Sequence, residues 1–244
     1  MIILGIETTS SAVSVALLDS EKLMGEYIVN TKLSHLEKLM PMIHSLLEKC
    51  EIQFDEVQGI AISEGPGSFT GIRIGFSAAK ALAQVKNIPM VGVPTLKALA
   101  YNYRDGEGII VPILDARRNQ VYGGAYRWED GKLMECVTGK AMAIDELIEE
   151  IQLKTTHEKI IFLGDGVKPY SEYILKHLGS RARFASPFNC TQRASSIAQL
   201  GYEMMQEGKT QDYKNIKPNY MRKSEAERNS ENKQKSQKNK GYRP

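Results

Sequence analysis

Ile2-Ile3-Leu4-Gly5-Ile6-Glu7, the polar turn Thr8-Thr9-Ser10-Ser11 and the run Val13-Ser14-Val15-Ala16-Leu17-Leu18 have an echo further along the chain. There, Ile110-Val111-Pro112-Ile113-Leu114-Asp115 is followed by Ala116-Arg117-Arg118-Asn119 and a second apolar run over 121–128. The two acids stand 108 residues apart, and the triplets Lys22-Leu23-Met24 and Lys132-Leu133-Met134 stand 110 apart. An apolar run, an acid, a polar turn and a returning run make a strand hairpin, and self-similarity at a fixed offset marks a duplicated unit.

Working outward, each hairpin is followed by the same kinds of element. After the first come an amphipathic helix over about 33–50, a buried strand over 57–63, a Gly-rich loop and a second helix from about Thr70. After the second come a helix over about 144–153, a strand over 159–163, the loop Gly164-Asp165-Gly166 and a helix to about Leu178. Strands alternating with helices after a hairpin predict mixed sheets covered by helices, α/β in class. Done twice, this is the layout of the actin-like ATPase (ASKHA) fold, two ribonuclease H-like lobes. The predicted division is a first lobe over 1–104, a second over 105–222, with the join in the polar stretch 103–108, and a basic tail over 223–244.

The formal net charge of +3 is concentrated in that tail, which holds seven Lys or Arg against three Glu and leaves −1 for residues 1–222. A nearly neutral body carries no electrostatic footprint for a phosphate backbone. The tail is polar and low in complexity and is expected to be disordered. No apolar run approaches the roughly 20 residues of a membrane span. The N-terminus has no basic leader or small-residue cleavage site, and Cys50, Cys136 and Cys190 are odd in number and far apart. A cytoplasmic chain with reduced thiols is expected, without a membrane association.

Catalytic chemistry finds little support. A turn that grips phosphate needs glycine, because only a bare backbone brings its N–H groups close to phosphate oxygens. Neither Glu7-Thr8-Thr9-Ser10-Ser11 nor Asp115-Ala116-Arg117-Arg118-Asn119 contains one. Arg117 and Arg118 fit either an anion contact or a solvated turn with local ion pairs. His35, His44, His157 and His177 show no i, i+4 pairing, and no cysteine pair has ligand spacing, so neither a metal nor another cofactor is expected. Ser68 lies outside any Gly-x-Ser-x-Gly elbow. Its loop, Glu64-Gly65-Pro66-Gly67-Ser68-Phe69-Thr70-Gly71, reads as a tight turn with Ser68 or Thr70 capping the next helix.

That helix places Gly71, Gly75 and Ala79 at i, i+4, i+8, beside Ala78. Internal glycines cost about 1 kcal/mol each, so a close approach by another element must offset them. The preceding helix supplies the apolar stripe Leu36, Leu39, Met40, Ile43 and Leu47, and Leu33, Leu46, Ile72, Ile74 and Phe76 are available for a second contact. Packing on their own sheet and docking of a partner both fit these stripes.

The segment 63–75, with its Gly-Pro-Gly-Ser-Phe-Thr-Gly run, resembles the signature of the TsaB family, bacterial tRNA threonylcarbamoyladenosine biosynthesis proteins. Residues 3–9, 115–122 and Pro218-Asn219-Tyr220-Met221-Arg222 resemble family segments in the same order, and the likeness runs from 1 to about 227. The resemblance implies the actin-like fold and a non-catalytic role beside TsaD, the paralogue that transfers threonylcarbamoyl to the tRNA adenosine next to the anticodon. It also implies assistance by the ATPase TsaE, contact with tRNA only through the complex, and homodimers as an alternative to heterodimers. The His-x-x-x-His metal motif of TsaD has no counterpart in 91–99, which lacks histidine. Glu7 stands where many relatives of the fold have Asp, a departure that weakens a metal or phosphate role further. The implied partner-interface residues are Leu36, Leu39, Met40, Ile43, Leu47, Gly71, Gly75, Ala78, Ala79 and Leu82. The rival expectation is an ATP-dependent or metallopeptidase-like enzyme of the same superfamily.

Overall fold

The structure, a computed structural model, describes residues 1–31, 34–104 and 107–222. The basic tail and Leu33 therefore lie outside the described residues.

In the first half, β1 (Ile2–Glu7), β2 (Val13–Leu18) and β3 (Leu23–Val29) form an antiparallel meander. Then β4 (Val57–Gly65) and β5 (Met90–Pro94) join β1 in parallel through α1 (His35–Lys49) and α2 (Phe69–Lys86). The strand order is β3-β2-β1-β4-β5. Helix α3 (Thr95–Tyr101) leads to the second half: β6 (Ile109–Asp115), β7 (Gln120–Glu129), β8 (Lys132–Ala143), α4 (Ile144–Lys154), β9 (Ile160–Leu163), α5 (Val167–Leu178) and β10 (Ala182–Phe184). Its order, β8-β7-β6-β9-β10, repeats the first strand for strand, with β6 in the place of β1. The duplicated hairpins are thus the centres of two mixed sheets.

Because β1 and β4 are buried on both faces, each needs a covering layer on each side. On the outer face of the first sheet, Leu4, Ile6, Val13, Val15 and Leu17 pack with Leu39, Ile43 and Leu46 of α1 and Ile72, Phe76 and Ala79 of α2. On the outer face of the second, Val111, Ile113 and Phe162 pack with Leu147 and Ile151 of α4 and Ile174 of α5. Between the sheets lies a shared core, where Ile3, Ala61 and Val91 face Ile110, Leu114 and Leu163 across α3 and α6 (Ala194–Gln206).

Helix α6, which falls within the expected second lobe 105–222, packs against the first sheet. Ile197, Ala198 and Leu200 of α6 join the shared core, and the helix packs along β1, β2, β4 and β5. Ile216 also joins the outer core of the first sheet. Backbone approach explains the placement: a Cβ on Gly201 would overlap the Ala61 Cβ of β4. Gly201→Val is expected to destabilise the protein by about 1–3 kcal/mol through overpacking, read as a lower urea midpoint at unchanged slope.

A groove between two helices held by a filled turn

The turn that joins β1 to β2 sits where its acid could face a cleft, yet it is packed solid. Glu7, Thr8 and Thr9 are buried. Thr9 donates to Glu7 Oε1 from its backbone amide and, at 2.6 Å, from its hydroxyl, while Glu7 Oε2 is enclosed without a partner. Burial pushes the Glu7 carboxyl up from its ordinary range, against the opposing pull of the Thr9 donors.

Helix α2 fills the space beyond. Ser68 donates its amide to Thr9 O at 2.7 Å, and its side chain caps the helix by accepting from Gly71 N at 3.2 Å. Thr8 Oγ1 donates to Gly71 O at 2.8 Å. A Cβ on Gly71 would collide with Thr8 O, and one on Gly75 with Thr8 Oγ1. The small-residue stripe therefore admits the protein's own turn rather than a partner helix. Helix α1 is fastened to the same turn, with His35 Nε2 2.7 Å from Ser10 O.

This placement sorts the expected interface residues. Leu39, Ile43, Gly71, Gly75 and Ala79 face inward and are buried, and Leu47 packs at the edge of the same core. In the lone chain the sheet and the turn lie on their side of the helices, so they pack beneath the helix surface. Leu46, Ile72 and Phe76 are likewise buried. Leu36 and Met40 turn outward and, with half-buried Ala78 and Leu82 and with Leu39 at the floor, line a groove of about 540 Å³ between α1 and α2. Leu36 is 70% exposed, Met40 46% and Val85, which also lines the groove, 72%. Arg73, Ser77, Ala81 and Val85 were missed from the sequence, although Ile74 was among the available residues. Continuing the outward positions of α2 by 3–4 residues would have found most of them.

The second turn is built differently. Arg117, Arg118 and Asn119 all hold left-handed φ angles of 60°, 56° and 59°. Consecutive non-glycine residues rarely do this, because the Cβ crowds the following carbonyl. Several contacts hold the turn: Asp115 Oδ1 accepts from Arg117 N at 2.7 Å, Ala116 N donates to Gln120 O at 3.0 Å, Gln120 N donates to Arg117 O at 3.2 Å, and Arg222 Nη1 donates to Ala116 O at 2.6 Å. Asp115 N donates to Asp165 Oδ1 at 3.0 Å, and burial, with Asp115 beside it, raises the Asp165 carboxyl. Among the described residues, no cluster of three or more His, Cys, Asp or Glu side chains forms a metal site. None of the described helices is long and apolar enough to cross a membrane.

The segment 211–222 bridges the two halves. Met90 and Gln211 exchange backbone hydrogen bonds of 3.0 and 2.8 Å. Asn219 N donates to Glu64 O at 2.8 Å, and Tyr220 stacks on Phe69 with centroids 4.3 Å apart. Arg222 then reaches the second turn.

Two measurements check these packing claims. Gly75→Ala is expected to destabilise by about 1–3 kcal/mol, and adding Thr8→Ala to recover part of that loss in a double-mutant cycle. For Glu7, a folded-state pKa above the unfolded value means the folded protein binds the proton more tightly. Its stabilising contribution is full below the unfolded value of about 4.5 and is lost as pH rises through the raised folded value. Glu7→Gln should therefore gain stability relative to the parent as pH rises above that unfolded value, read from urea midpoints across pH.

Comparison with known proteins agrees on one relationship. A family model described as tRNA N6-adenosine threonylcarbamoyltransferase matches residues 26–230. The tRNA threonylcarbamoyladenosine biosynthesis protein TsaB of Bacillus subtilis is 35% identical over 227 residues, covering 93% of this chain and 96% of that protein. TsaB of Escherichia coli is 27% identical, covering 91% and 95%. A solved Pseudomonas aeruginosa structure, of a protein with similarity to peptidase YEAZ, superposes with a TM-score of 0.75 at 23% identity, covering 91% of this chain and 99% of that one. That likeness speaks for the fold, and the sequence relatives speak for the lineage. This chain, with its two mixed sheets, belongs to the TsaB family of tRNA threonylcarbamoyladenosine biosynthesis proteins.

Proposed function

We propose that this chain is a non-catalytic, cytoplasmic subunit that binds a TsaD-like threonylcarbamoyltransferase and supports it in forming threonylcarbamoyladenosine next to the anticodon of tRNA. A TsaE-like ATPase assists, and tRNA is met through the complex. The observation that carries this reading is the pairing of a filled phosphate-loop position with an open apolar groove. Thr8 and Thr9 hold the protein's own helix where an actin-like ATPase would hold phosphate. Leu36, Met40, Ala78, Leu82 and Val85 leave exposed an apolar surface that a folded protein ordinarily covers.

In this reading the first lobe, residues 1–104 with the returning segment that packs on it, is the partner-binding half. The TsaD-like subunit covers the α1–α2 groove, and in its absence a second copy does so. The two assemblies compete because they use one surface. The buried residues Leu39, Ile43, Gly71, Gly75 and Ala79, with half-buried Leu47, act by holding the helices in place. The metallopeptidase-like rival would need a three-ligand cluster, and none is present among the described residues.

Reconstitution tests the reading. The purified chain alone should neither hydrolyse ATP nor modify tRNA, and it should restore modification when mixed with its TsaD-like subunit and the TsaE-like ATPase. Ala78→Glu, which drives an unpaired charge into the groove, should weaken association at least about a hundredfold, far more than its small effect on the unfolding midpoint. Sustained turnover by the lone chain, or full modification without it, would overturn the proposal.

A further inference from the structure

The groove between α1 and α2 is apolar along its length except at the α2 N-terminal end. Among the described residues that line it the one charged group is Arg73, in the first turns of α2. The guanidinium lies 5.3 Å from the centroid of the Phe69 ring and 5.8 Å from that of Tyr220, within the range of cation–π attraction. Its Nε donates to the Tyr220 hydroxyl at 3.3 Å. Phe69 and Tyr220 are themselves stacked, 3° from parallel, and the neighbouring Asn219 is tied to Glu64 O.

This arrangement orders an arginine without neutralising it. A free arginine loses about 2 kcal/mol of rotamer freedom on being fixed, and here much of that loss is met before any partner arrives. Among the described residues no carboxylate lies within ion-pair distance of Arg73. The two terminal nitrogens keep their donors for an outside acceptor. An apolar surface laid into the groove would strip water from this end, and a guanidinium left there without an acceptor would oppose binding. Charge complementarity therefore asks for an anion in register with Arg73, and a planar fork suits the two oxygens of a carboxylate.

We propose that Arg73 is a specificity determinant of the groove and recognises an Asp or Glu side chain carried on an apolar helical ridge of the partner subunit. Phe69 and Tyr220 are positioning residues that preset the fork. The C-terminal segment thus has a part in docking as well as in joining the lobes. This inference rests on the groove being the partner-docking surface, so its test separates the two.

Binding of the full-length chain to its TsaD-like subunit is followed by titration calorimetry at low and at high salt, beside the parent. Arg73→Gln, which should lower the unfolding midpoint only slightly through its lost ring contacts, is expected to weaken binding at least about tenfold at low salt and to flatten the salt dependence. Arg73→Lys should recover only part of the affinity, because it restores charge without the fork. Tyr220→Ala should weaken binding in the same direction, and Tyr220→Phe, which keeps the stack, should lose less. Ala78→Glu is the companion variant. If it abolishes binding while Arg73→Gln stays within about twofold of the parent, the carboxylate proposal falls and the groove reading stands. If neither variant changes binding, the groove reading falls as well. An Arg73→Gln effect confined to self-association of the chain, seen by sedimentation, would also overturn the proposal.

Discussion

The contact between Thr8 and the first turns of α2 governs the rest of this structure. Gly71 and Gly75 each lack the one carbon that would strike Thr8, and Thr8 and Thr9 close the gap with hydrogen bonds to Gly71 O and from Ser68 N. Glycine inside a helix is costly in isolation, and here the cost is offset by bringing a helix against a strand turn at backbone distance. With α2 seated there and α1 fastened through His35, the groove between them has a fixed width and a fixed apolar lining.

The same contact redirects the acid at the end of β1. In a turn that grips a ligand, a carboxylate must reach the cleft in its charged form. Glu7 instead lies within the protein, one oxygen occupied by Thr9 and the other without a partner, and burial favours its neutral form. The corresponding turn of the second half reaches a different solution. Its arginines occupy left-handed backbone that glycine would favour, held by Asp115 from within and by Arg222 from the C-terminal segment. Duplication kept the strand order in both halves while the two turns diverged to serve packing on one side and lobe connection on the other.

Layering explains why a groove remains on the first half. Each sheet needs helices on both faces, and the space between the sheets is shared by α3 and α6. The outer face of the first sheet is covered by the inward stripes of α1 and α2, and the apolar side chains of their outward stripes line the groove. On the outer face of the second sheet, α4 and α5 pack with the sheet in a core of its own. Leu153 of α4 and Leu175 of α5 are also exposed, but Leu36, Met40 and Val85 stand together along one groove.

The sequence by itself determined the duplication, the two strand hairpins and the helices that follow them, because hydrophobic periodicity and the 108-residue offset are local signals. It also carried the family signature, and the absence of glycine from both acidic turns. Tertiary structure alone decided which side of each helix meets the sheet. A stripe such as Leu36, Leu39, Met40 and Ile43 is wider than one contact, and only the position of the sheet divides it into buried Leu39 and Ile43 and exposed Leu36 and Met40. For the same reason Gly71 and Gly75 read equally well as partner-facing until Thr8 is seen beside them. The return of α6 to the first sheet and the setting of Arg73 against Tyr220 join residues far apart in the chain, and no periodicity within a segment encodes which distant segment will cover it.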